Sequence, residues 1–182
     1  MSGRTSVIDS SSERSSDALL AACYADMRRV ARGIMAGDGM RNAMAPTDLA
    51  HEAAIRLIRS DLSGVNDPGH MLAIAARSMR QVLIDEVRKA RAVKRHAPTM
   101  LTIWPREDGD RLIDIEALDA ALVALAEVAE EHARIVELRF SLGLSVAEVV
   151  TLTGIPERTV KRRWQAARAW LRDHLGDLQD GA

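Results

Sequence analysis

From Asp17 onward, apolar residues recur at three- and four-residue spacing, the period of an amphipathic helix. Leu20, Cys23, Met27, Val30 and Ile34 fall on one face of a first helix. "GDGMRNAMAP" interrupts it with two glycines and a proline, the composition of a loop. "TDLAHEAAIRLIRS" predicts a second helix, with Leu49, Ala53 and Leu57 inward and Asp48 in the first turn, where a carboxylate complements the helix dipole. Asp67 suits an N-cap with Pro68 at the first helical position. A third, longer helix is then predicted through "MLAIAARSMRQVLIDEVRKARAVKR". Its apolar stripe is Leu72, Ala75, Met79, Val82, Leu83, Val87 and Ala90, and Arg77, Arg80, Gln81, Arg88 and Arg91 lie mainly away from it.

Two stretches break the pattern. Before Asp17 the chain is rich in Ser, Arg and Glu, which bury too little to offset the entropy of ordering, so residues 1–16 are expected to be disordered. "HAPTMLTIWPREDGDRL" mixes polar and apolar residues without clear period and contains two prolines, the mark of a linker between helical lobes that move relative to one another. Helices resume at Asp114. "IEALDAALVALA" sets Ile115, Leu118, Leu122 and Leu125 on one side, and "EEHARIVELRFSLG" turns Ile135, Leu138 and Phe140 inward, with Gly143 suited to the stop. The expected fold class is all-α: two small helical domains, 17–95 and 114–176, joined by a linker, 96–113, with tails at 1–16 and 177–182.

"LSVAEVVTLTGIPERTVKRRWQAARAWL" has the layout of a helix-turn-helix. Ser145 and Glu148 form an S-x-x-E capping box, and Val146, Val149 and Val150 are the inward positions of the helix it starts. Gly154 stands where the chain must turn sharply, and Ile155 fills the gap between the two helices. The second helix begins near Pro156, with Val160, Trp164, Ala167 and Leu171 as its apolar stripe. That register turns Arg158, Lys161, Arg162, Gln165 and Arg168 mostly outward. A recognition helix needs this arrangement, because its first turns reach base edges while neighbouring bases hold phosphates.

Charge sharpens the picture. The chain of 182 residues has a formal net charge of −1, but the charge is segregated. Arg77, Arg80, Arg88, Lys89, Arg91, Lys94 and Arg95 face only Asp85 and Glu86 in one block, and a second basic block covers 156–175. Between them, from Arg106 to Glu131, acids dominate. Such segregation concerns partners more than fold. No apolar run reaches the roughly eighteen residues of a membrane span. The N-terminus lacks the apolar stretch of a signal peptide, and the single Cys23 excludes an internal disulfide and fits a reducing cytoplasm.

Other chemistry is thinly represented. "HEAAI" lacks the second histidine of a zinc hydrolase, with Ile55 at the fourth position after His51. His51, His70, His96, His132 and His174 are scattered without ligand spacing, and Cys23 sits on an apolar face as a core residue. There is no G-x-x-x-x-G-K phosphate loop. No catalytic residue, metal or cofactor is expected.

Taken together, the motifs resemble the sigma-70 family in its short extracytoplasmic-function type, which keeps only regions 2 and 4. The resemblance covers about Asp17 to Leu175: "TDLAHEAAIRLI" is similar to region 2.2, "MLAIAARSMRQVLIDEVRKARAVKR" to regions 2.3 and 2.4, and the helix-turn-helix to region 4. It implies that Asp48, His51, Glu52 and Arg56 dock on the clamp of the largest subunit of core RNA polymerase, with region 4 on the flap of the second-largest. Arg77, Arg80, Gln81 and Arg88 would face the −10 element, both as double-stranded promoter DNA and as melted non-template strand. Arg158, Thr159, Lys161, Arg162, Gln165 and Arg168 would meet the −35 major groove. The linker acids Glu107, Asp108 and Asp110 would thread a basic channel of the polymerase. An anti-sigma factor is a further partner the family admits.

Three positions depart from the family pattern. Tyr24 is the only region 2 aromatic, with aliphatics from Met71 to Ile74 where a Trp is usual. Pro156 replaces a frequent Ser cap, and Gln81 a frequent Asn, although both amides can read adenine. The expected function is a cytoplasmic sigma factor that performs no covalent chemistry, and the alternative is a stand-alone helix-turn-helix regulator.

Overall fold

The computed structural model describes residues 5–35, 44–62, 65, 67–93, 101–104 and 111–180. Among these it contains six α-helices, a short hairpin and one π-helical turn. Helix α1, Thr5–Ile34, begins well before the Asp17 start expected from its apolar face. Its first turns extend a helix already nucleated by the packed part, so even a polar Ser-rich stretch can propagate it. Helix α2 is Pro46–Ile58, with proline in the first turn, where its missing N–H does no harm. Helix α3, Pro68–Val93, starts as expected: the His70 amide donates to Asp67 Oδ1 at 2.9 Å.

Strands β1, Leu101–Trp104, and β2, Arg111–Asp114, pair antiparallel within the stretch expected to be a plain linker. The linker acids Glu107, Asp108 and Asp110 lie outside the described residues. Helix α4, Ile115–Val136, is capped by Asp114, which accepts from the Glu116 amide at 2.8 Å. It breaks at Ala129 (φ −157, ψ 72), which separates the two helices anticipated on either side. A π-helical turn, Glu137–Ser141, leads to Gly143 at φ +68. Helices α5, Val146–Thr153, and α6, Glu157–Asp180, complete the chain, so the expected tail from 177 continues as helix to Asp180.

Both bodies of the molecule are helical, and the hairpin is a small addition to an all-α fold. The inward faces read from the sequence are buried: Leu20, Cys23, Met27 and Val30 on α1, Leu49, Ala53 and Leu57 on α2, and Leu118, Leu122 and Leu125 on α4. Helix α3 departs from the amphipathic expectation. Beyond its stripe it also buries Met71, Ala73, Ala76, Ile84 and Arg80, because a second layer of helices covers the face opposite α1 and α2. Its stripe ends at Val87, and Ala90 is exposed. Ile115, Ile135, Leu138, Val149 and Val160 join the core formed by α1–α3, so the two groups of helices expected as separate lobes share one apolar cluster.

Trp164 lies where this cluster meets a second one, formed by Leu118, Leu122, Leu125, Val136, Ala167 and Leu171. The Arg139 guanidinium sits 5.1 Å from its ring centroid and that of Arg168 at 5.8 Å, within cation–π range. Trp170 is half-buried and stacks on His174 at 4.5 Å. Because the Trp164 ring is only partly covered, Trp164→Ala is expected to lower stability by about 3 kcal/mol, the low end for a core tryptophan. Urea unfolding followed by circular dichroism checks this.

Candidate nucleic-acid interface

The helix-turn-helix is assembled by local hydrogen bonds. The Ser145 amide donates to Glu148 Oε2 at 2.7 Å and the Glu148 amide to Ser145 Oγ at 3.2 Å, so both arms of the capping box are made. These bonds from Ser145 hold the Glu148 carboxyl below the usual carboxylate range. Gly154 closes α5 at φ +69, ψ 2, a left-handed conformation that a Cβ would strain, and its amide donates to the Val150 carbonyl at 2.8 Å. Thr153 Oγ1 donates to the Val149 carbonyl at 2.7 Å and accepts from the Ile155 amide at 3.2 Å, which fixes the turn. The Pro156 carbonyl takes the first bonds of α6, from the amides of Thr159 (2.8 Å) and Val160 (3.0 Å). Pro156 thus occupies the cap position without a side-chain acceptor, and Glu157 supplies negative charge to the first turn.

Val160, Ala167 and Leu171 are fully buried, and they set the rotation of α6. Arg158, Lys161, Arg162 and Gln165 are consequently exposed on one outward ridge, with Thr159 half-buried beside it. Lys161 pairs with Glu157 at 2.6 Å, and the hydrogen bond from Lys161 lowers the Glu157 pKa. Both side chains are more than half exposed (59% and 62%), so a phosphate can displace this pair easily. Arg168 leans toward Trp164 at the edge of the ridge. Arg163 faces inward and pairs with Glu131 at 2.8 Å.

The residues predicted on α3 divide. Arg77 is exposed and Gln81 half-buried. Arg80, expected to point away from the core, is 4% exposed. Its two terminal nitrogens donate to Glu137 at 2.9 and 2.6 Å and its Nε to Asp119 at 2.8 Å. Ser141 Oγ donates to Glu137 Oε2 at 2.6 Å and completes the cluster. Burial pulls the Arg80 pKa down, but the two carboxylates outweigh it, so the guanidinium stays firmly charged. In this arrangement Arg80 is out of reach of DNA, for a physical reason: the second layer covers α3 and brings its own acids. Arg88 and Arg91 both bond Glu116, at 2.8 and 2.5 Å. The Arg88 bond, followed by that of Arg91, holds Glu116 below the usual carboxylate range. Its contribution to stability is therefore present above the ordinary carboxylate pKa and lost as pH falls through the lowered value.

On α2, Asp48 and His51 are exposed and Glu52 is half-buried. Arg56 is held by Glu52 at 3.4 Å and Asp85 at 2.8 Å, which ties α2 to α3. His51 also borders an apolar groove with Tyr24, Ile55 and Ile58, the last 64% exposed.

The structure thus gathers the α6 residues on one ridge and the α2 residues on one face, and it distributes the α3 residues between solvent and a buried seam. Asp119, Glu137, Glu116 and the contact of Arg134 with Asp67 were not anticipated. For Asp119 and Glu116 the signal was the opposite charge of the two blocks, which pair with each other inside the chain, whereas Glu137, Arg134 and Asp67 lie outside those blocks. Among the described residues no cluster of three or more His, Cys, Asp or Glu could hold a metal ion, and no helix is long and apolar enough to cross a membrane. The model of the family described as ECF sigma factor matches residues 5–177. No curated protein matches the chain.

Proposed function

This chain belongs to the ECF sigma factor family and has its role in transcription initiation, and from that premise we propose that it directs core RNA polymerase to specific promoters. In this reading residues 17–95 engage the polymerase and the −10 element, and residues 114–176 the −35 element. The exposed face of α2, with Asp48, His51, Glu52 and Arg56, docks on the clamp of the largest subunit, and the second domain on the flap of the second-largest. Helix α6 enters the major groove, where Arg158, Lys161, Arg162 and Gln165 meet base edges and Thr159 and Arg168 hold the backbone. Arg77, Gln81 and Arg88 face the −10 duplex and the displaced non-template strand, and Arg80 can join them only where its partners Asp119 and Glu137 move away from α3. The factor works in the cytoplasm, is open to control by an anti-sigma factor and carries out no covalent step.

The observation that supports this best is the ridge of α6: exposed basic and amide side chains set in register by a capped, glycine-closed helix-turn-helix. Run-off transcription with core polymerase tests it. A promoter-specific transcript that requires the factor is expected. DNA binding by the factor without any association with polymerase would replace this reading with a stand-alone regulator.

A further inference from the structure

Helices α3 and α4 border a cavity of about 420 Å³ beside the break at Ala129, within the size range of small-ligand sites. Its floor is aliphatic, with Ala73 and Ile74 from α3 and Leu122, Val123 and Ala126 from α4. Charged side chains of both signs stand around it, Arg77 on the α3 side and Glu127, Glu130 and Glu131 on the α4 side.

Most of the charges that touch the cavity are already paired. Arg80 is bound to Glu137 and Asp119, Arg134 contacts Asp67, and Glu131 pairs with Arg163 at 2.8 Å. Among the described residues Arg77, Glu127 and Glu130 make no ion pair, although all three are exposed and border the same space. DNA binding accounts for only one of them. Arg77 suits a phosphate, but two carboxylates across from it repel one. The break adds to their sign, because the first half of α4 ends there and a helix C-terminus carries partial negative charge.

A ligand that satisfies the three groups together brings an anion for Arg77, a cation for Glu127 and Glu130, and an apolar body for the floor. We propose that this cavity binds a small zwitterion, an α-amino acid with an aliphatic side chain. Its carboxylate accepts a forked pair of hydrogen bonds from the Arg77 guanidinium, and its ammonium donates to Glu127 and Glu130. Its side chain covers Ile74, Val123 and Ala126 and leaves water there. An ion pair at an exposed rim is weak by itself, so binding depends on both ends being held over the floor at once. The same layout rejects the alternatives. The acids repel a phosphate or a fatty carboxylate, and Arg77 repels a bare amine. The site stands whether or not the chain initiates transcription.

Chemical-shift titration of the isotope-labelled full chain with L-leucine tests it. Saturable shifts are expected at the amides of Ile74, Val123 and Ala126. Isoamylamine, which is leucine without its carboxylate, and isocaproate, which is leucine without its ammonium, should each bind at least about tenfold more weakly, since each loses a charge-assisted bond. Arg77→Gln should weaken leucine by a similar factor and leave isoamylamine no weaker. Glu127→Gln with Glu130→Gln should weaken leucine and leave isocaproate no weaker. All three side chains are exposed, so these variants are expected to keep the helical circular dichroism of the parent. Absence of saturable shifts at millimolar leucine overturns the site. So does a truncated analogue that binds as tightly as leucine, or a variant whose leucine affinity is unchanged or whose ligands are all lost alike.

Discussion

Glu137→Ala is expected to lower the stability of the chain by about 3–5 kcal/mol, because it strips a buried arginine of its two-bond partner. Asp119 remains at 2.8 Å from Arg80 Nε, but it satisfies only one edge of the guanidinium. The desolvated charge can escape in one way, by separation of the layers. Calorimetry should therefore show a lower melting temperature and a transition that broadens or splits as the two groups of helices uncouple. Replacing both partners, Arg80→Met with Glu137→Met, should recover most of the loss, since an apolar pair of similar size carries no uncompensated charge. A double-mutant cycle that finds no coupling between positions 80 and 137 would remove the buried pair from the account of this fold.

The second large effect concerns α6. Lys161→Glu with Arg162→Glu should abolish binding to −35 duplex and leave association with core polymerase intact. Each base contact contributes about 1–3 kcal/mol of discrimination, and reversal adds repulsion from the phosphates. The change at 161 also places two acids, Glu157 and the new glutamate, four residues apart, which loosens the first turns slightly. Circular dichroism separates that local effect from lost recognition. Fluorescence anisotropy with promoter fragments reads the affinity, and co-purification reads polymerase association. If this variant lost DNA binding and polymerase association together, the assignment of separate tasks to α2 and α6 would be wrong.

Local chemistry was readable in the sequence and long-range chemistry was not. The capping box at Ser145 and Glu148, the left-handed Gly154 and the stripe Val160, Ala167, Leu171 all depend on residues within a few positions of one another, and the structure reproduces them. The exposure of the α6 ridge follows directly. Arg80 and Glu137 are 57 residues apart, and no periodicity connects them. From Arg80 alone the polar face of α3 reads as solvent-facing, which is correct for Arg77 and fails for its neighbour one turn on. The charge blocks held part of the clue, since Asp119, the other partner of Arg80, belongs to the acidic block, and a basic and an acidic stretch in one chain are natural partners for each other as well as for other molecules. The hairpin had a weaker sign. Asp108–Gly109 lies between the apolar runs that pair as β1 and β2, a turn signal masked by the surrounding prolines.

The shared apolar cluster has a thermal consequence. Ile135, Leu138, Val149 and Val160 rest against α1–α3, so parting the layers wets aliphatic surface. Hydration of such surface raises heat capacity, and the tendency to keep it dry fades on cooling. The aliphatic share of the contact between the two groups of helices therefore weakens in the cold, and salt bridges carry proportionately more of it there.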